Sequence, residues 1–137
     1  MSTSTGHGLS TLGRDCYIII WEFHVRPGWE NQFEQTYGPD GDWVQLFRQG
    51  EGYIRTELLR DEKNRGRYLT LDCWVSRTAS ELFREQQVEN YKRLDDACTC
   101  LTEREVWLGS YQHVSGSRCQ QTEGLLGNAP HRSPKGG

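Results

Sequence analysis

A run of eleven residues, CYIIIWEFHVR at positions 16–26, constrains the fold of this chain more than any other segment. Three consecutive isoleucines flanked by aromatic side chains favour a pleated and mostly buried β-strand, which we place at residues 17–25. Pro27 follows, and proline suits the first turn of a helix because its missing N–H would be unpaired there anyway. The segment therefore predicts a strand that leads directly into a helix.

The hydrophobic pattern predicts the remaining elements. Two helices, separated by a Gly-Pro-Asp-Gly break, precede strands at residues 53–60 and 68–75, and the polar loop between these strands makes them an antiparallel pair. A T-x-x-E capping box at Thr78 begins a long helix that extends to about residue 101. The last strand is predicted at residues 106–114, with Trp107, Gly109 and Tyr111 facing one side.

The element order β-α-α-β-β-α-β predicts an α+β fold of the ferredoxin-like type, in which all helices cover one face of a four-stranded antiparallel sheet. The other sheet face is then bare, and an exposed apolar patch of that size indicates a partner. A second copy of the chain, packed sheet to sheet about a two-fold axis, is the simplest cover. We therefore expect a homodimer through the open sheet face.

The composition sets the limits of the domain. Every Trp, Tyr and Phe lies between Tyr17 and Tyr111, while both ends are rich in Gly, Ser, Thr and Pro. We predict a disordered arm at residues 1–15, a folded domain at 16–114 and a disordered tail at 115–137. The net charge of −3 argues against nucleic-acid binding, because phosphate contacts require a basic surface.

Membrane and metal functions are also disfavoured. No stretch approaches the apolar length of a membrane span, and the first residues lack the pattern of a secretory signal. The five cysteines, an odd number, favour reduced thiols in the cytoplasm, and their spacing does not match a zinc site. We expect a cytoplasmic protein without a bound metal.

Five sequence pieces resemble the antibiotic biosynthesis monooxygenase (ABM) family. They are WEFHVRPGWExxF at 21–33, YGPDGDW at 37–43, GYxxTELLRD at 52–61, YLTLDxWxS at 68–76 and LTExE at 101–105. The resemblance implies the dimeric α+β barrel, with a ligand pocket between helices and sheet in each subunit. Members of the family resemble cofactor-free quinone-forming oxygenases, haem-degrading oxygenases or isomerase-like enzymes. The haem-degrading type needs a histidine on the long helix, and residues 78–101 contain none.

Aromatic residues are the candidates for the walls of this pocket. On the first strand, alternation separates Trp21 from His24, so that Trp21 faces the helices if His24 faces the opposite side. Stacked rings favour a flat, polycyclic aromatic ligand, although plain core packing would also explain them. The substrate-pocket candidates are Trp21, Tyr37, Trp43, Phe47, Phe83 and Tyr91.

Two residues are candidates for a catalytic base. His24 is a candidate because an unperturbed histidine side chain can act as a general base near neutral pH, but it also fits a hydrogen-bonded position at a strand end near the dimer interface. Asp72 lies within the third strand, where an acid is costly to bury unless it is paired. Either Arg55 or Arg67 forms an ion pair with it, or it is a carboxylate base with a raised pKa.

The resemblance implies a cofactor-independent monooxygenase that acts on a phenolic small molecule. The sequence contains neither the GxGxxG fingerprint of a dinucleotide site nor a clustered two-His, one-carboxylate iron site. A phenol deprotonated in an aromatic pocket could then pass an electron directly to O₂, without a cofactor. Two alternatives stay open: a non-catalytic ligand-binding or stress-response dimer, and an isomerase or cyclase that needs no O₂.

Overall fold

The computed structural model describes residues 16–114, and its elements follow the predicted order. The elements are β1 (Tyr17–Val25), α1 (Glu30–Tyr37), α2 (Asp42–Phe47), β2 (Tyr53–Arg60), β3 (Arg67–Trp74), α3 (Arg77–Gln86), α4 (Val88–Cys98) and β4 (Thr102–Gln112). The strands form one antiparallel sheet in the order β2-β3-β1-β4, which confirms the α+β, ferredoxin-like fold. The predicted arm and tail lie outside the described residues.

Strand alternation divides β1 between two environments. Phe23 and Val25 are buried in one hydrophobic core with residues of all four helices, whereas Ile18 and Ile20 point to the opposite, open face of the sheet. Phe33 on α1 is fully buried at the centre of this core. Burying a phenylalanine of this kind contributes about 2–3 kcal/mol to stability. The core therefore holds the helices against one sheet face.

Helix α1 begins later than the position of Pro27 suggests. Gly28 has a φ of 91°, a left-handed conformation that favours glycine, and the helix starts only at Glu30. The Glu30 carboxylate accepts a 3.0 Å hydrogen bond from the Gly28 backbone N–H. Pro27 and Gly28 thus form a separate tight turn, and the prediction of a helix that starts at Pro27 is wrong.

The long helix predicted after Thr78 is two helices. Helix α3 ends at Gln86 and α4 begins at Val88, with Gln87 between them at φ −112° and ψ 24°. The helix start also differs, because the side chain of Ser76 caps α3 by accepting a 3.1 Å hydrogen bond from the Ala79 backbone N–H. The predicted capping box at Thr78 is therefore wrong.

The last strand contains a β-bulge that changes its facing. Ile20 pairs with Gly109, and the next β1 residue, Trp21, pairs with Trp107, so Leu108 is an extra residue in β4. Gly109 has a φ of 141°, which fits a kink at this point. Trp107 therefore shares the face of Trp21, whereas Gly109 and Tyr111 share the face of Ile18 and Ile20, so the prediction that these three β4 residues face one side is wrong. The strand also begins at Thr102 and not at residue 106.

Within residues 16–114, none of the helices has both the length and the apolar character that crossing a membrane requires.

Candidate functional site

A cavity of about 190 Å³ lies between the helices and the covered face of the sheet. Strands β1, β2 and β3 supply its floor, and helices α1, α2 and α4 supply rings above it. Half of its lining side chains are aromatic, and most of the rest are ionisable. The lining residues are Trp21, Phe23, Tyr37, Trp43, Phe47, Thr56, Thr70, Asp72, Arg84, Tyr91, Asp95 and Glu105.

Most of the predicted pocket residues line this cavity. Phe83 does not: it is buried behind Phe47 and Trp74 and borders a smaller void of about 30 Å³. Phe23 lines the cavity although it was not predicted, and its position two residues after Trp21 on β1 was the available signal. Whether these rings bind a substrate stays a prediction.

The aromatic walls are held by ring-to-ring packing. Tyr37 stacks on Phe33 with ring centroids 4.2 Å apart, and Trp43 meets Tyr91 edge-on at 5.0 Å. Burial raises the pKa of the Tyr37 hydroxyl above its ordinary value, with Cys98 as the next cause. Tyr37 therefore lines the cavity as a buried neutral phenol.

The buried indole nitrogen of Trp43 makes no hydrogen bond to any residue in the described range. The Tyr37 hydroxyl and the Cys98 thiol lie near it, but neither meets hydrogen-bond geometry with it. Buried donors without a partner are uncommon in folded proteins. Trp43 therefore leaves one N–H donor available in a residue that lines the cavity.

The carboxyl group of Asp72 lies on the floor of the cavity. Its Oδ1 accepts a 2.8 Å hydrogen bond from the Thr56 hydroxyl, which in turn accepts a 2.7 Å bond from the Tyr53 hydroxyl. Burial raises the pKa of Asp72 to about 6, and the Thr56 bond opposes part of that shift. The structure thus places a weakly acidic carboxyl group among aromatic rings.

The ion pair predicted for Asp72 is absent among the described residues. Arg55 binds Glu57 at 3.1 Å, and Arg67 lies on the open face of the sheet, where it binds other carboxylates. No described cation therefore offsets the cost of burying Asp72, which is why its pKa rises and does not fall.

His24 lies on the opposite, open face of the sheet. Its Nε2 is 2.6 Å from the Glu22 carboxylate, and that carboxylate also accepts a 3.0 Å hydrogen bond from Arg67. Arg67, the largest cause, and His24 together hold the pKa of Glu22 below its ordinary value. The two catalytic candidates are thus separated by the sheet, and only Asp72 lines the cavity.

Three exposed ionisable side chains, Arg84, Asp95 and Glu105, form the mouth of the cavity. The guanidinium of Arg84 lies 4.5 Å from the centre of the Tyr91 ring and makes no hydrogen bond or ion pair with another described residue. Partial burial, and then the nearby Asp95, raises the pKa of Glu105. No sequence pattern singled out these residues, because charged positions on helices and edge strands ordinarily face solvent.

Comparison with known families decides the relationship of this chain. The family described as "Antibiotic biosynthesis monooxygenase" matches residues 16–88, more than half of the sequence. The chain belongs to the antibiotic biosynthesis monooxygenase family. The matched range includes the cavity floor and Arg84 but ends before Tyr91, Asp95 and Glu105.

Solved structures of this fold include other ABM proteins. A putative antibiotic biosynthesis monooxygenase from Bordetella bronchiseptica is 21% identical, with a TM-score of 0.55, and the match covers 74% of this chain and 99% of that one. SnoaB, a cofactor-independent oxygenase from Streptomyces nogalater, is 19% identical, with a TM-score of 0.52 and coverage of 71% and 91%. A protein from Shewanella oneidensis is 16% identical, with a TM-score of 0.53 and coverage of 72% and 91%. These similarities establish a shared fold, while comparison with curated proteins found no match.

Proposed function

We propose that this ABM protein is a cofactor-independent monooxygenase that oxidises a phenolic small molecule, with Asp72 as its general base. The observation that carries the proposal is the Asp72 carboxyl group, which has a pKa of about 6 and lies within an aromatic cavity. A base with a pKa near the working pH transfers protons effectively. The fold shared with SnoaB, a cofactor-independent oxygenase, supports the reaction class.

The residues of the cavity suit each part of this reaction. Asp72 accepts the phenol proton, and the electron-rich phenolate then gives an electron to O₂. Recombination at the ring carbon para to the hydroxyl and loss of water yield a quinone. One oxygen atom of O₂ enters the quinone and the other leaves as water, so phenol and O₂ give benzoquinone and water. The guanidinium of Arg84, which has no other partner among the described residues, stabilises the negative charge of the phenolate.

A panel of phenols tests the proposal under air. Quinone absorbance and oxygen consumption should rise together, with one O₂ consumed per quinone formed. Asp72→Asn should lower kcat at least 100-fold, because general-base catalysis contributes about 10²–10⁴-fold. His24→Gln is the matched control, since His24 lies on the other sheet face, and it should retain activity. A wild-type protein that binds phenols but forms no quinone would refute the oxygenase assignment.

The pH profile gives a second, independent reading of the same base. Asp72 accepts a proton only when it is ionised, so kcat/KM should rise with pH and reach half of its plateau near pH 6. A profile that is flat between pH 5 and 8 would contradict the assignment of Asp72.

An isomerase or cyclase is the second candidate, and the carboxyl groups favour it. Asp72 and Glu105 line the same cavity, and burial raises the pKa of both, as an acid–base pair requires. Such an enzyme needs no O₂. Turnover under strict anaerobiosis would select this function over oxygenation, whereas ligand binding without turnover in either condition would identify a binding protein.

The homodimer is part of the proposal. Ile18, Ile20, Leu69 and Leu71 share the open face of the sheet and are only partly buried in the single chain, so a second copy could cover them. Light scattering after gel filtration should give twice the mass of the chain, and Ile20→Lys should give the monomer mass. The free thiols of Cys16, Cys73, Cys98 and Cys100 support the proposed cytoplasmic location.

A further inference from the structure

The cavity is small for a substrate-binding site. Pockets for drug-sized ligands measure about 300–1,000 Å³, whereas an engineered apolar cavity of about 150 Å³ binds benzene. At about 190 Å³, this cavity exceeds the benzene-sized reference by little more than one water-sized group of about 30 Å³. Its volume corresponds to one aromatic ring with one or two small substituents.

Four of the six aromatic side chains that line the cavity cannot yield to a larger ligand. Phe23, Tyr37, Trp43 and Phe47 are each less than a tenth exposed and pack ring on ring within the core. Close-packed interiors resist added volume, because each displaced ring disturbs its neighbours. A second or third fused ring therefore has no room on the helix side of the cavity.

Trp21 differs from Phe23, the other aromatic side chain that the sheet contributes to the cavity. It is only half-buried, and its nearest aromatic neighbour is Phe23, with ring centroids 6.4 Å apart. Beyond it lies an open groove of about 610 Å³ between α3 and strands β1 and β4. Trp21 and Arg84 line both spaces, whereas Trp107 lines only the groove. The side chains of Trp21 and Arg84 therefore form the wall between the cavity and the groove.

We propose that the site selects phenols with a single ring and that Trp21 sets this limit by closing the cavity against the groove. The phenolic nature of the ligand rests on the proposed function, but the size limit depends only on the cavity. A polycyclic phenol, which aromatic stacking alone would favour, is excluded. Removing the Trp21 ring joins the two spaces and admits the larger ligand.

Equilibrium dialysis under argon tests the size limit without turnover. The probes are phenol, 2-naphthol and 2-anthrol, which carry one, two and three rings. The wild-type protein should bind 2-anthrol no more tightly than phenol. Trp21→Ala should bind 2-anthrol at least tenfold more tightly than wild type does, and phenol about threefold more weakly because a wall is lost. Because the affinities for 2-anthrol and for phenol should change in opposite directions, a general change in affinity is excluded.

Two further variants complete the design. Trp21→Phe keeps one ring of the wall, so it should gain affinity for 2-naphthol but not for 2-anthrol, and it tests the proposal even if Trp21→Ala does not fold. Trp107→Ala, the matched control, removes an indole from the groove alone and should leave all three affinities within twofold of wild type.

The size limit and the oxygenase function can be refuted independently of each other. If the affinities follow ring number as expected but no quinone forms in air, the size limit stands and the oxygenase function is wrong. Preferential binding of 2-anthrol by the wild-type protein would overturn the size limit even if the enzyme oxidises phenols. A protein that binds none of the three probes would overturn it as well.

Discussion

Replacing Asp72 with asparagine removes a buried negative charge but keeps an oxygen that can accept the hydrogen bond from Thr56. Burial raises the pKa of Asp72 from 3.8 to about 6, and each pKa unit corresponds to about 1.4 kcal/mol. Ionised Asp72 thus lowers the free energy of unfolding at neutral pH by up to about 3 kcal/mol. Asp72→Asn should therefore stabilise the protein by about 1–3 kcal/mol at pH 7.5.

The pH dependence of this gain has a definite sign. The folded protein holds the Asp72 proton up to about pH 6, while the unfolded chain releases it near 3.8. Wild-type stability from this group is therefore fully present below about pH 3.8 and is lost as the pH rises to 6. Urea unfolding should show variant and wild type nearly equal at pH 3.5 and separated above pH 6.5.

Asp40→Asn is the control for this experiment, and two outcomes would contradict the reasoning. Asp40→Asn changes an exposed loop carboxylate outside the cavity, so it should alter stability by less than about 0.5 kcal/mol at either pH. If Asp72→Asn proves less stable than wild type at pH 7.5, or if its effect is the same at both pH values, the carboxyl group is not held in a desolvated site. Asp72→Asn should also lose activity, which would show that the carboxyl group needed for catalysis lowers the stability of the fold.

Three further predictions concern single positions. Gly52 and Gly28 both have left-handed φ values of about 90°, but only a Cβ at Gly52 would meet side-chain atoms, at 2.8 Å, so Gly52→Ala should cost about 2 kcal/mol more than Gly28→Ala in urea unfolding. Ser76→Ala should lower the free energy of unfolding by about 1 kcal/mol, and Thr78→Ala should lower it by much less, because Ser76 caps α3. Equal losses of stability would show that Thr78 also caps the helix. Trp43→Phe removes an indole N–H donor that has no partner among residues 16–114, and it should weaken phenol binding about fivefold by dialysis. An unchanged affinity would show that the ligand does not use this donor.

The element order and the cavity floor could be predicted because they depend on short-range patterns. Period-two alternation along β1 separates Trp21 from His24, and the short polar loop fixes the pairing of β2 with β3. The break at Gln87 could not be predicted in the same way. The sequence there contains neither proline nor glycine, so no helix-breaking residue marks the interruption between α3 and α4.

The charged part of the site was beyond sequence reasoning for a different reason. The partner of Asp72 is the hydroxyl of Thr56 on the neighbouring strand, and choosing it over Arg55 required the register and the facing of two strands. Arg84 and Glu105 meet at one mouth although they lie on separate elements. Local sequence patterns cannot measure the distance between such residues.

The bulge at Leu108 makes this part of β4 tolerant of changes in length. The pairs formed by Ile20 with Gly109 and by Trp21 with Trp107 would be consecutive partners of a regular ladder if Leu108 were deleted. A relative that lacks this residue can therefore keep every β4 side chain on the same face of the sheet. Its groove residues on this strand are then one position closer together in the sequence. Glu103 is a second such position, because His24 pairs with Arg104 and Val25 with Thr102. A deletion at any other position of β4 would carry part of the strand to the wrong face. In an alignment of the family, a gap in this strand belongs at position 108 or at position 103.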